Sequence, residues 1–238
     1  MNYTRTGALI LGFFIFLGLV GASYLGARAV LDVKSLERSV TVKGLAEREY
    51  PADIVIWPVQ FTEASNSLQA IYTQLDANSG KIRRFLVDNG IAETDLSLSP
   101  PAIVDKSAQP YGGGNRGEFR YTATQAVTVY STDISTAREA MKKLGNLGRE
   151  GIVFTGGDYQ SRTEYLFTRL NEIKPAMIEE ATTKAREVAE KFAQDSNSRL
   201  GKIKQASQGQ FTISDRDSNN PHIKNVRVVS TVEYYLSD

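Results

Sequence analysis

The sequence predicts an α+β fold, with mixed or antiparallel sheets and helices packed on one side, preceded by an N-terminal transmembrane helix. Three observations carry this. Gly7 to Leu25 is almost wholly apolar, with no charged residue between Arg5 and Arg28. Two later stretches, Leu68 to Leu86 and Asn171 to Gln194, place their apolar residues at three- and four-residue steps, the period of a helix with one buried stripe. The remaining apolar stretches alternate or are rich in β-branched residues, and they arrive mostly in adjacent pairs that short hairpins can join.

The apolar run reads GALILGFFIFLGLVGASYL, close to the ~20 residues that a helix needs to cross the hydrocarbon core. Phe13, Phe14, Ile15 and Phe16 would point in every direction around such a helix, as in a membrane span. Residues 1–28 are therefore read as a signal anchor, with a cleaved signal peptide as the alternative because Ala27-Arg28-Ala29 satisfies the small-x-small pattern. Residues 29–38 read as a tether, and residues 39–238 as the exported α+β domain, a division into two similar halves near Thr132 being left open. The positive-inside count leaves orientation open too, with Arg5 before the run and Arg28, Lys34 and Arg38 after it. The short N-terminal tail is the simpler end to retain in the cytoplasm.

The exported elements follow in order. Val40 and Val42 alternate, Pro51-Ala52-Asp53 marks a turn, and Ile54 to Phe61 forms a second strand. Pro58 cannot donate to a ladder, which predicts an edge or a bulge there. Leu68, Ile71, Tyr72, Leu75, Ile82, Phe85 and Leu86 lie on one helical stripe, with Ser67 as N-cap and Asn89-Gly90 as the stop. Strand patterns return at Asp95 to Val104 and Phe119 to Ser131, separated by the loop Pro110-Tyr111-Gly112-Gly113-Gly114. A shorter helix turns Ala137, Ala140, Met141, Leu144 and Leu147 inward, and Tyr159 to Thr168 reads as a strand. In the long helix Pro175 is expected in the first turn. Ala181, Ala185, Ala189 and Ala193 recur every four residues beside Ile178, Val188 and Phe192, so one face permits close approach. Glu180 to Lys184 and Glu187 to Lys191 are favourable pairs on the solvated side. Leu200-Gly201-Lys202 is expected to end the helix, and strands near Ile203 to Ile213 and Val226 to Leu236 close the chain.

Composition removes whole classes of chemistry. There are 238 residues, no Cys and one His, which excludes disulfides, thiolate nucleophiles, cysteine-ligated metals and any site needing two imidazoles. Beyond Arg5, basic and acidic residues balance at 27 each, so there is no basic field to attract nucleic acid. Gly112-Gly113-Gly114 lacks the Lys-Ser/Thr of a phosphate cradle and precedes a strand. Gly145, Gly148, Gly151 and Gly156-Gly157 surround a helix end and read as caps and turns. His222, in Asn219-Asn220-Pro221-His222, is expected to be exposed in a turn before the last strand, with no carboxylate orienting its ring. Asp53, Asp95, Asp158, Asp215 and Asp217 could supply oxygen ligands to a hard ion, but at no EF-hand spacing. Trp57 and Phe61 share one strand face and read as core. No catalytic, cofactor-binding or metal-binding residue is assigned, and no cofactor is expected.

Several motifs occur in an order that is specific as a set. Val40-Thr41-Val42-Lys43-Gly44, Pro51-Ala52-Asp53, Asn89-Gly90-Ile91 and Thr94-Asp95-Leu96 resemble the opening signatures of the SIMPL domain family. Glu180-Ala181, Ala185-Arg186, Ala189, Phe192-Ala193 and Leu200-Gly201-Lys202-Ile203 look like its most recognisable motif, and Val226 to Leu236 fits its closing strand. Val188 stands where a Lys is common and Asp195-Ser196 where a Gly often ends the helix. Known members are mostly bacterial envelope proteins of obscure function, some linked to oxidative-stress resistance and some known as surface antigens; an animal member is a signalling adaptor for a kinase. The resemblance implies an exported, non-enzymatic interaction domain that can assemble with itself. The expectation is a single-pass inner-membrane protein whose C-terminal domain lies in the periplasm. It would act by binding, as a homo-oligomer or within an envelope stress or maintenance system. The alternative is a periplasmic hydrolase using Asp carboxylates and a divalent metal.

Overall fold

The structure, a computed structural model, describes residues 3–36, 38–108, 118–155 and 162–237. The elements are α1 (Tyr3–Leu36), β1 (Ser39–Pro51), β2 (Ile54–Ser65), α2 (Leu68–Asp88), β3 (Leu96–Leu98), β4 (Ala102–Asp105), β5 (Tyr121–Ser131), α3 (Ile134–Lys143), α4 (Gly145–Arg149), β6 (Val153–Phe154), β7 (Glu164–Leu166), α5 (Leu170–Asp195), β8 (Arg199–Gln208), β9 (Thr212–Asp215) and β10 (Ile223–Ser237). The α+β class expected from the sequence is the one observed.

The Leu9–Ala29 stretch of α1 is long and apolar enough to cross a membrane. At 1.5 Å per residue it covers about 30 Å. Phe13, Phe14 and Phe16 are exposed around it, so this stretch is not packed into the core of the chain. The segment read as a tether is helical as far as Leu36, and Ala27-Arg28-Ala29 lies inside the helix.

The chain divides into two compact units: Met1–Glu47, Lys174–Phe211 and Arg227–Asp238 form one, and Arg48–Ile173 with Thr212–Val226 the other. Thr132 lies inside the second unit. Here β2 and β5 pair antiparallel from Val55↔Ser131 to Ser65↔Tyr121. On the far side of β5 lie β3 and β4, and β6 and β7 flank the other edge of β2. One face is buried: Val55, Trp57, Val59 and Phe61 from β2 and Ala123, Val127 and Val129 from β5 pack with Ile71, Leu75, Ile82 and Leu86 of α2 and Ala137 and Ala140 of α3. Ser67 caps α2 by accepting from the Ala70 N–H, and Gly90 leaves the helix at φ +91°, a conformation open to glycine. Leu68 and Tyr72, expected on the inner stripe, are exposed at its start. Pro58 pairs with Thr128 on one side, and on the other no described pairing reaches it, since β7 ends opposite Ile56 and β6 begins opposite Phe61, so it stands at a local edge of the kind expected. Of the expected strand Tyr159 to Thr168, residues 159–161 lie outside the described residues and Glu164–Leu166 is strand.

In the first unit the sheet order is β1-β10-β8, with β10 and β8 antiparallel. Helix α5 covers one face, and Val42, Ala185, Ala189, Val232 and Tyr234 form its core. All four stripe alanines are buried. Gly44 explains why they must be small: a Cβ there would lie 1.8 Å from the Ala181 carbonyl oxygen and 2.5 Å from the Ala185 nitrogen. Strand backbone and helix backbone are in direct contact. Val188 and Phe192, expected beside the stripe, are instead exposed. Lys184–Glu180 pairs at 2.6 Å and Arg186–Glu190 at 3.1 Å, whereas Glu187 and Lys191 form no pair among the described residues.

Three expectations about connections need correction. The first two strands do not form a hairpin, because β1 pairs with β10 and β2 with β5. The turn between them spends its donors elsewhere: the Ala52 N–H donates to the His222 carbonyl and the Asp53 N–H to the Leu166 carbonyl. Pro175 sits beyond the first turn, since α5 begins at Leu170, and its missing N–H leaves the Asn171 carbonyl without the usual helical donor. Helix α5 also stops before Leu200-Gly201-Lys202, which belongs to β8. Asn197 turns the chain at φ 51°, a region Asn tolerates better than most residues, and the Ser198 N–H closes on the Ala193 carbonyl at 2.8 Å.

Candidate functional site

Among the described residues, the carboxylates singled out in the sequence are engaged by hydrogen bonds and ion pairs. Asp53 accepts from the Thr168 N–H at 2.9 Å, the Thr168 hydroxyl at 3.1 Å, the Arg169 N–H at 3.2 Å and Arg169 Nε at 3.4 Å. It ties the turn after β1 to the segment entering α5. Asp95 accepts from the Thr94 hydroxyl. Asp215 pairs with Lys224, which is nearly buried on β10. Asp217 accepts from the Asn219 and Asn220 N–H groups, both at 2.9 Å, and from Arg216 Nε at 3.0 Å. Arg216 and the Asn220 amide hold its pKa down at about 2, so it is ionised at neutral pH and shapes the turn before β10. Asp158, the Gly112-Gly113-Gly114 loop and Gly156-Gly157 lie outside the described residues. Among the described residues, no group of three or more His, Asp or Glu side chains is placed to hold a metal ion.

His222 lies in the turn before β10 but is half-buried, contrary to the expected exposure. Its ring meets Tyr165 edge-on at 6.0 Å between centroids. Burial, then repulsion from Arg138 and Arg216, pushes the imidazole pKa down, which favours the neutral ring. The Tyr165 hydroxyl donates to Met141 Sδ at 3.8 Å, and burial raises its pKa. An aromatic contact and a phenol facing a thioether make a packing cluster. Trp57 and Phe61, as expected, point into the core.

The feature with binding chemistry is in the first unit. β8 lies at the end of its sheet, and nine of its ten residues are exposed, Leu200 alone being half-buried. Among the described residues its one strand partner is β10. Gly201 and Gly209 bring its two ends close to β10: a Cβ at either would fall 2.9 Å from the Tyr235 or Val229 carbonyl oxygen. Arg199, Lys202 and Lys204 punctuate this edge, and no acidic residue does. Sequence reasoning missed it because the pattern marks a strand without marking its place in the sheet; the signal available was the basic residues inside the run, a common guard of open edges.

The fold and the Gly44 contact coincide with the motifs that carried the resemblance. The sequence model of the SIMPL family, described as a protein of unknown function (DUF541), matches residues 40–232. The chain belongs to the SIMPL family. That match begins at β1 and ends within β10, so the SIMPL region contains both sheets and the alanine-striped helix, and α1 precedes it. Comparison with curated proteins finds no match.

Proposed function

We propose that this SIMPL protein is a membrane-anchored, non-enzymatic interaction protein of the bacterial envelope. Its C-terminal domain stands in the periplasm, and it acts by pairing with other chains along β8. The observation that carries this reading is the bare ten-residue edge of β8. Backbone donors and acceptors along an open edge are a template for a further strand. Support for the anchor comes from the exposed apolar length of α1. Against the metal-dependent hydrolase stands the engagement of Asp53 by Thr168 and Arg169, of Asp215 by Lys224, and of Asp217 by the turn that follows it. A role in oxidative stress follows from family resemblance alone and forms part of the proposal only as a context in which to look for partners.

Two measurements test it. In a Gram-negative host the protein should stay in the inner-membrane fraction after carbonate washing, with its C-terminus open to protease only in spheroplasts. Membranes solubilised in mild detergent should contain it in complexes larger than the single chain, and Ala206→Pro, which removes an edge N–H, should dissolve them. A soluble, shortened form or complexes indifferent to Ala206→Pro would refute the reading.

A further inference from the structure

Resting on the reading that the chain binds along β8, we infer that this edge takes up an extended acidic segment of another protein as an added strand. The backbone geometry comes first. The Gly209 N–H donates to the Val229 carbonyl at 2.8 Å, and Gln208 and Ala206 stand opposite Ser230 and Val232. By the alternation of an antiparallel ladder, the N–H groups of Ala206 and Gln208 therefore point away from β10. They are available to a strand added on the outer side.

Charge selects the occupant. Lys204 is engaged with Glu233 of β10 at 3.0 Å. Arg199 and Lys202 make no ion pair among the described residues, and no acidic side chain lies between Arg199 and Gln208. A second copy of β8 would bring a strand with no acidic side chain against Arg199 and Lys202, and like charges facing one another across a ladder are destabilising. An apolar strand would supply no opposing charge to Arg199 and Lys202. A segment with glutamate or aspartate at alternate positions supplies the opposing charge and leaves main-chain pairing intact.

The full chain in phosphatidylcholine nanodiscs provides the test, read by fluorescence anisotropy. The probes are a labelled ten-residue peptide alternating glutamate with valine and a second with lysine in place of glutamate. The glutamate peptide should bind saturably and the lysine peptide about tenfold more weakly. Arg199→Glu combined with Lys202→Glu should invert that order. N-methylation of the valines in one peptide and of the glutamates in another should abolish binding in at least one of the two, a control that does not depend on any variant folding. Equal affinity for the two peptides, no inversion, or binding that survives both N-methylations would overturn the inference. If Ala206→Pro dissolves the cellular complexes but the glutamate peptide does not bind, the acidic partner is wrong while edge binding stands.

Discussion

Replacing Gly44 by Ala adds one methyl group and should be among the most damaging small changes in the first unit. The new Cβ would fall 1.8 Å from the Ala181 carbonyl oxygen, 2.5 Å from the Ala185 nitrogen and 2.9 Å from the Ala181 carbonyl carbon. All three are backbone atoms of a helix, so no side chain can swing aside, and α5 must withdraw by about 1.5 Å to reach ordinary contact. A gap of 0.5–1 Å already forfeits roughly a quarter to a half of a dispersion contact, and the layer of Val42, Ala185, Ala189, Val232 and Tyr234 would lose contacts together. Overpacking costs about 1–3 kcal/mol and occasionally more; with backbone on both sides the expected loss is about 3 kcal/mol or above. Gly80→Ala is the matching control. Gly80 lies in α2 with open space where its Cβ would be, and the same substitution there should stabilise by about 1 kcal/mol. Urea titration of the detergent-solubilised chain, followed by far-UV circular dichroism with hydrogen exchange of α5 amides, reads both. Unchanged or slower exchange in α5 on Gly44→Ala would refute direct backbone contact between β1 and α5.

The buried stripe of α5, the cap of α3 and the His222 ring give further expected outcomes. Ala189→Leu, at a fully buried stripe position, should cost about 1–3 kcal/mol, whereas Glu187→Gln on the exposed face should change stability by less than about 0.5 kcal/mol; urea titrations giving equal losses would misplace the helix face. Asp133 caps α3 by accepting from the Thr136 N–H at 3.0 Å, and this bond with the Ser135 and Thr136 hydroxyls lowers its pKa to about 2 from 3.8. Its charge therefore stabilises the fold above the unfolded value and the benefit is lost as pH falls from 3.8 toward 2. Asp133→Asn should flatten the stability profile in that window while keeping the cap; an unchanged profile by thermal melting would contradict this. The His222 ring should titrate below 6.5 by NMR, with Arg138→Ala raising its pKa and Asp217→Asn lowering it. Because the unfolded chain then binds the proton first, His222 should cost stability as pH falls from 6.5. His222→Ala should weaken packing on Tyr165 but leave cellular complexes intact; their loss in a folded variant would return catalysis or ligand binding at His222 to the front.

Much of the fold could be read locally. The 3.6-residue period of Ile71, Leu75, Ile82 and Leu86 and the four-residue period of Ala181 to Ala193 both identify buried stripes, and Ser67 and Asn89-Gly90 mark helix ends through hydrogen bonds made within a few residues. Partner choice between strands was not legible. β1 and β10 stand nearly two hundred residues apart in sequence, and nothing in the alternation of Val40 and Val42 distinguishes a hairpin partner from a distant one. Nor could the burial of His222 be read, since its neighbour Tyr165 comes from β7. Gly44 was legible as a motif position, but its reason was not: the contact requires knowing that α5 crosses β1. The edge of β8 was hidden in the same way, because a strand's place in a sheet is a tertiary fact.

Site-specific photo-crosslinking in living cells tests edge binding most directly. A photoreactive amino acid at Lys202 lies on β8, and the same residue at Glu187 lies on the exposed face of α5, a matched exposed position away from the sheet edge. Crosslinks should form to a second protein from position 202 and not from 187, and Ala206→Pro should remove them while leaving the chain folded and in the membrane. Crosslinks of equal yield from both positions, or crosslinks from 202 that persist in Ala206→Pro, would contradict binding by strand addition along β8.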